Sequence, residues 1–204
     1  MASAPVRTPS RMSLGQFRRF VEDRPDKERW ELIHGVAMMM TPPTLAHQRI
    51  ASNLERLLLD ALESHAPTKT AFQAIGVNLG PAVDDYDPEP DVVVTDLDTA
   101  ETPDERYADR FYLAAEIVSA SDRVDVESKR EAYKLHGSCT CILTVQQDRF
   151  EVRVDLRTDT GWSEQVLKQP DDLLALPDFG LRCKVSDLYR GTPLAPRQPR
   201  QRSS

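Results

Sequence analysis

Pro90-Asp91-Val92-Val93-Val94 and Phe111-Tyr112-Leu113-Ala114-Ala115-Glu116-Ile117-Val118 are the two stretches on which the fold turns. Each is an apolar, partly β-branched run of strand length between polar, turn-forming residues, and each carries one carboxylate where the pattern predicts a buried strand. An ionised carboxylate taken out of water is costly unless a cation, a set of hydrogen bonds or a raised pKa compensates. For two neighbouring carboxylates a divalent metal ion is the simplest common compensation.

Working outward toward the N-terminus, residues 84–89 form an acidic loop, and residues 69–79 read as a strand of imperfect alternation closed by Gly80-Pro81. Before it, Thr44 is an N-cap for the longest helix. Ile50, Leu54, Leu57, Leu58, Ala61 and Leu62 give that helix a continuous apolar stripe up to about His65. Trp30-Ile33 and Val36-Met40 flank His34-Gly35, a two-residue connection that suits a tight hairpin. Met38-Met39-Met40 reads as core filler. Ser13 with Gln16 makes a capping box for a short helix that ends before Pro25.

Toward the C-terminus, Ser119-Ala120-Ser121-Asp122 is a turn and cap cluster, residues 125–136 read as a helix, and Gly137 stands at its end. Strands follow at 139–145, 150–156 and 163–168. After them come a short apolar cap carrying Leu173, Leu176, Phe179 and Leu181 and a brief helix near 185–189. Residues 96–109 have no clear period and read as a long surface connection with some helix.

The chain of 204 residues is long enough for one domain with a full core. The expected organisation is a mobile N-terminus over 1–11, a single domain over 12–190 and a basic disordered tail over 191–204 that holds Arg197, Arg200 and Arg202. No apolar run reaches the roughly 20 residues of a membrane span and no signal-peptide segment opens the chain, so the expected compartment is the cytoplasm and no membrane partner is expected. Cys139, Cys141 and Cys183 form neither a Cys-x-x-Cys pair nor an even framework, which fits a reducing compartment and small buried core residues. A net charge of −7 argues against broad adhesion to polyanions. It leaves room for a nuclease, because a metal ion supplies positive charge where the phosphate sits.

Consecutive strands usually pair, which sets the Asp91 and Glu116 strands side by side, about 4.8 Å apart. Asp91 begins its strand and Glu116 lies deep in its own, so opposed strand directions or a hairpin register would bring the two acids to one height. Asp125, Lys129 and Tyr133 recur at four-residue spacing and share one helical face, from which a lysine can reach back over the acids. Arg130, on the adjacent face, competes with Lys129 for that place. Each residue also has a plainer reading: Asp91 as a turn or cap residue, Glu116 in a buried salt bridge, Lys129 on a solvated helix face, His47 as a packing residue and Glu31 pointing to solvent.

These residues resemble the Uma family of restriction-endonuclease-like proteins, within the PD-(D/E)XK nuclease superfamily. The resemblance lies in Trp30-Glu31-Leu32-Ile33-His34-Gly35, Pro42-Pro43-Thr44-Leu45-Ala46-His47, Pro90-Asp91-Val92-Val93-Val94, Ala115-Glu116-Ile117-Val118-Ser119-Ala120-Ser121, and Asp125 with Lys129, Tyr133 and Gly137. It implies an α/β (mixed α+β) fold: a restriction-endonuclease-like core of helix, three strands, helix and strand, with an N-terminal helix and hairpin and extra C-terminal strands. It implies Asp91 and Glu116 as ligands of Mg²⁺ or Mn²⁺ and Lys129 as the displaced motif lysine, the superfamily's usual lysine position being Val118. Glu31 and His47 match recurrent family positions, as a further ligand or a water-orienting group. The implied activity is metal-dependent endonucleolytic hydrolysis of nucleic acid, DNA before RNA, and superfamily relatives often form homodimers.

Two other classes compete with this one. A non-catalytic binding or regulatory module that keeps the nuclease scaffold is motivated by Val118 and the acidic surface. A glycoside-hydrolysing acid pair lacks the aromatics needed to stack a sugar.

Overall fold

The computed structural model describes residues 10–25, 27–80, 83–101, 106–119 and 123–195. Most of the expected cap cluster, Ala120 to Asp122, lies outside the described residues, as do residues 1–9 of the expected mobile N-terminus and 196–204 of the expected tail. Residues 191–195 fold back on the domain: Gly191 N–H donates to the Ala195 carbonyl at 2.8 Å, and Thr192 is buried.

A six-stranded mixed sheet organises the molecule. Its strands are β3 (Lys69–Gln73), β5 (Val92–Asp96), β7 (Phe111–Val118), β8 (Cys141–Gln146), β9 (Val152–Thr158) and β10 (Gly161–Leu167), in the order β10-β9-β8-β7-β5-β3. Only β7 and β8 run parallel, because the helix α3 (Arg123–Leu135) makes the crossover between them; the other neighbours are antiparallel. The buried strands read as near-continuous apolar runs, as a sheet covered on both faces requires.

One face carries Val92, Val94, Leu113, Ala115, Ile117, Leu143 and Val145 against Ile50, Leu54, Leu58 and Leu62 of α2 (Leu45–His65). The expected stripe thus makes the main core, and the Thr44 hydroxyl caps the helix by accepting from His47 N–H at 3.1 Å. Residues of the opposite parity, Val93, Ala114 and Ile142, face Ala132 and Tyr133 of α3 together with Ile33 and Met38 of the hairpin. That hairpin, β1 (Trp30–Ile33) and β2 (Val36–Met39), is a separate two-stranded sheet. The short helix α1 (Leu14–Glu22), with both halves of the Ser13–Gln16 capping box formed, packs Phe17 against Leu32 and Ala37 beside it.

The structure departs from the expected elements in three places. The expected strand over 69–79 is broken at Ala74, in a left-handed conformation at φ 56°. Its second half becomes β4 (Gly76–Val77), parallel to β6 (Tyr107–Ala108). Gly76 permits this, since a Cβ there would lie 2.4 Å from the Tyr107 ring. Residues 96–109 hold a 3₁₀ turn, Leu97–Glu101, and β6. The C-terminal apolar cap is a further hairpin, β11 (Leu173–Leu176) and β12 (Leu181–Lys184), followed by α4 (Val185–Leu188).

Arg130 takes no part beside the acids. Its guanidinium makes paired hydrogen bonds of 2.5 and 2.6 Å to Asp155 on β9, with Glu127 and Glu164 at its rim. Asp155 is 1% exposed, so this pair clamps α3 to the sheet in a water-poor setting. Asp155→Ala strands a buried cation and is expected to cost about 3 kcal/mol in a urea melt, the low end for a broken buried pair because Glu164 still reaches Arg130.

Candidate active site

The antiparallel register between β5 and β7 sets Val92 opposite Ala115, which brings Asp91, one residue earlier, level with Glu116. The two acids that opened the sequence reading are therefore neighbours. Asp91 is fixed at both oxygens: Ile117 N–H donates to Oδ2 at 2.7 Å, and His47 Nε2 lies 2.8 Å from Oδ1. His47 stands in the first turn of α2, whose N-terminus meets the sheet at this end. Glu116 accepts from Tyr133 OH at 2.6 Å on Oε1 and from Lys129 Nζ at 3.2 Å on Oε2. Lys129 and Tyr133, one helical turn apart, thus grip the two oxygens of one carboxylate.

Lys129 Nζ also meets Glu31 Oε1 at 2.7 Å, and the same oxygen accepts Glu89 N–H at 2.8 Å. The acidic loop shapes this wall: Glu89 pairs with Arg29, just before β1. Glu31 and Glu116 are each 5% exposed, while the Asp91 and His47 side chains keep 18% and 20% of their surface. Asp91 and His47 therefore mark the mouth of the site, and Glu31, Glu116, Lys129 and Tyr133 its floor. All five residues singled out in the sequence converge here.

The electrostatics follow from this burial. Three carboxylates surround one ammonium, so fully ionised acids leave the cluster negative. Desolvation, opposed by Lys129 but reinforced by the charges of Asp91 and Glu31, lifts the Glu116 carboxyl from 4.5 to about 7. Desolvation likewise raises Glu31, with Lys129 opposing it. For Lys129, burial disfavours the charge, but the attraction of Glu116 and Glu31 outweighs it and the pKa is raised, so the ammonium stays protonated. Burial, then the Glu116 charge, pushes the Tyr133 phenol well above its usual value, so its hydroxyl acts as a fixed donor.

Asp91 and Glu116 offer hard oxygens with lone pairs to spare beyond their present hydrogen bonds, the donor type Mg²⁺ and Mn²⁺ take. The surplus of negative charge on a buried floor fits such an ion as well. Among the described residues no group of three or more His, Cys, Asp or Glu side chains forms a metal site by itself. Lys129, not a third free acid, completes the set. Cys139 and Cys141 are free and buried; desolvation pushes the Cys139 thiol up to about 12, which suits core residues.

Three contacts at this site lay beyond the sequence reading: the Ile117 amide on Asp91, the Glu89 amide on Glu31 and the Tyr133 hydroxyl on Glu116. Of these only Tyr133 carried a signal, its four-residue spacing from Lys129.

Comparison with known proteins agrees with the architecture. Residues 14–186 match the profile of the Uma2 family, described as "Putative restriction endonuclease". Among solved structures, that of "a putative nuclease belonging to DUF820" from Anabaena variabilis superposes with a TM-score of 0.66 at 18% identity, over 87% of this chain and 97% of that one. A likeness at that identity is one of fold. No curated protein matches the chain. No described helix is long and apolar enough to cross a membrane.

Proposed function

This chain belongs to the Uma2 family, and on that premise we propose that it is a metal-dependent endonuclease that hydrolyses phosphodiester bonds in DNA. The observation that carries the reading is the floor itself: Glu116, next to Asp91, gripped by Lys129 and Tyr133 in a cluster whose acids outnumber its cation. Asp91 and Glu116 would hold Mg²⁺ or Mn²⁺, which would polarise the phosphoryl oxygen and make a bound water more acidic.

The chain's own residues do the rest. The Ile117 amide and His47 orient Asp91, and Tyr133 turns Glu116, so neither acid reorganises when substrate arrives. Lys129, permanently charged and anchored on Glu31, offsets negative charge as it develops on the phosphoryl oxygens and orients the attacking water. On this reading it stands in, from α3, for the superfamily's strand lysine, whose usual position here is Val118. The residues at the mouth, His47 and Asp91, meet the nucleic acid first.

The test is cleavage of supercoiled plasmid and of single-stranded DNA by the purified chain under Mg²⁺ and under Mn²⁺. The expected result is metal-dependent nicking that Asp91→Ala and Glu116→Ala each remove. Activity that survives both substitutions overturns the assignment. One observation favours a second reading, a binding module that keeps the scaffold: every oxygen of Asp91 and Glu116 already has a hydrogen-bond partner within the chain. Metal-independent DNA binding that Glu116→Gln leaves unchanged, with no cleavage, selects that reading.

A further inference from the structure

We propose that His34 is a positioning residue of this site, its imidazole pinning the hairpin that carries Glu31 to the helix that carries Lys129. The inference rests on the hydrolytic reading for its kinetic consequence alone.

Glu116 and Lys129 belong to β7 and to α3 packed on it, but Glu31 arrives from a separate two-stranded sheet. The Glu31–Lys129 contact at 2.7 Å therefore depends on how that sheet is docked. Backbone bonds secure one side: Leu32 and Asp87 exchange N–H and carbonyl, and Gly35 N–H donates to the Asp85 carbonyl at 2.7 Å. These bonds tie the hairpin to the acidic loop and none reaches α3. Ile33 and Met38 meet α3 through the core, and at the hairpin tip the side chain of His34 adds a polar link. His34 Nε2 lies 3.1 Å from Ser128 Oγ, the residue before Lys129, and its ring stands edge-on to Tyr86 at 4.8 Å with the phenol oxygen 2.7 Å away. One imidazole thus joins hairpin, loop and helix, reaching the helix at the residue before Lys129.

The backbone lets the contribution of the ring be separated from that of the turn. His34 sits at φ 51° and Gly35 at φ 73°. Glycine fills the first position without strain, so what a histidine adds there is its ring. His34→Gly relaxes the backbone and deletes the ring, separating the two roles.

The experiment uses the full chain and measures acetylation of the Lys129 ε-amine by acetic anhydride, read by mass spectrometry. In His34→Gly the melting temperature is expected to hold or rise while Lys129 labelling climbs roughly fivefold as the hairpin opens locally. His34→Asn, which also suits the turn and lacks the ring, reports the same change if the glycine variant folds poorly. His34→Gln, long enough to hydrogen-bond Ser128, returns labelling toward wild type. In cleavage assays kcat falls about tenfold with KM and Mn²⁺ affinity unchanged, since Asp91 and Glu116 lie on the sheet. Labelling equal to wild type in both ring-less variants overturns the proposal, even if the wild type cleaves DNA. Raised labelling in a protein that never cleaves supports the proposal and removes the hydrolytic reading instead.

Discussion

Lys129→Met is expected to lower the stability of the metal-free protein at pH 7 by about 3–5 kcal/mol and to cut any cleavage by about 10²–10³-fold. Methionine fills nearly the same space, so the loss is electrostatic. Glu31 and Glu116, both 5% exposed, lose the one cation that, among the described residues, lies within salt-bridge reach of either, and Asp91 adds its charge beside them. A buried pair broken on one side costs far more than the intact pair contributes, because the survivor keeps its desolvation penalty. The carboxyls respond by taking up protons, so the deficit shrinks as the pH falls toward 5. Saturating Mn²⁺ shrinks it as well, because a dication between Asp91 and Glu116 replaces the missing charge. Urea melts at pH 7 and pH 5, with and without Mn²⁺, check the set. A deficit below about 1 kcal/mol means a lysine solvated at the surface. A deficit that Mn²⁺ leaves unchanged means that the two acids hold no ion.

The division between what the sequence revealed and what it hid follows the range of the interactions. Glu116 stood out because a charge in the middle of an eight-residue apolar strand has no cheap explanation, and Lys129 because its spacing from Tyr133 fixes a helical face without reference to anything distant. Ser13 with Gln16 and Thr44 were readable for the same reason, since caps are local chemistry. The choice between Lys129 and Arg130 was not local. It was settled by Asp155 on β9, twenty-five residues away, whose carboxylate takes the guanidinium and leaves the ammonium for the acids. Glu31 was harder still, because its place depends on how a detached hairpin docks through His34, Tyr86 and Ser128. The break at Ala74 and the parallel pairing of Gly76 with Tyr107 also hinge on a long-range partner. A glycine inside a strand run was the one available sign of close approach there.

Between about pH 4.5 and pH 7 the metal-free protein is expected to lose stability as the pH rises, opposite to the usual behaviour of a paired carboxylate. The cause is Glu116, whose carboxyl lies at about 7 in the folded chain against an ordinary 4.5. In that interval the unfolded chain has released the proton and the folded chain retains it, so the folded state binds more protons and the unfolding free energy falls with pH. The stabilisation is complete below pH 4.5 and gone above pH 7. A lift from 4.5 to about 7 corresponds to on the order of 3 kcal/mol. Glu31, raised by the same desolvation, adds to it with the same sign. Glu116→Gln carries no titrating group, so its stability profile should keep only the Glu31 part of the slope. Cations and protons compete for the ionised carboxylate, so Mn²⁺ affinity should weaken about tenfold per pH unit below 7. With Mn²⁺ in excess the decline toward neutral pH should disappear. Denaturant melts across pH 4.5 to 8 with wild type and Glu116→Gln, plus calorimetric titration with Mn²⁺, decide the matter. A flat wild-type profile places Glu116 in contact with water or in a fully compensating pair. A wild-type slope that persists in Glu116→Gln assigns the proton to Glu31, moving the unbalanced charge of this floor from the sheet to the hairpin.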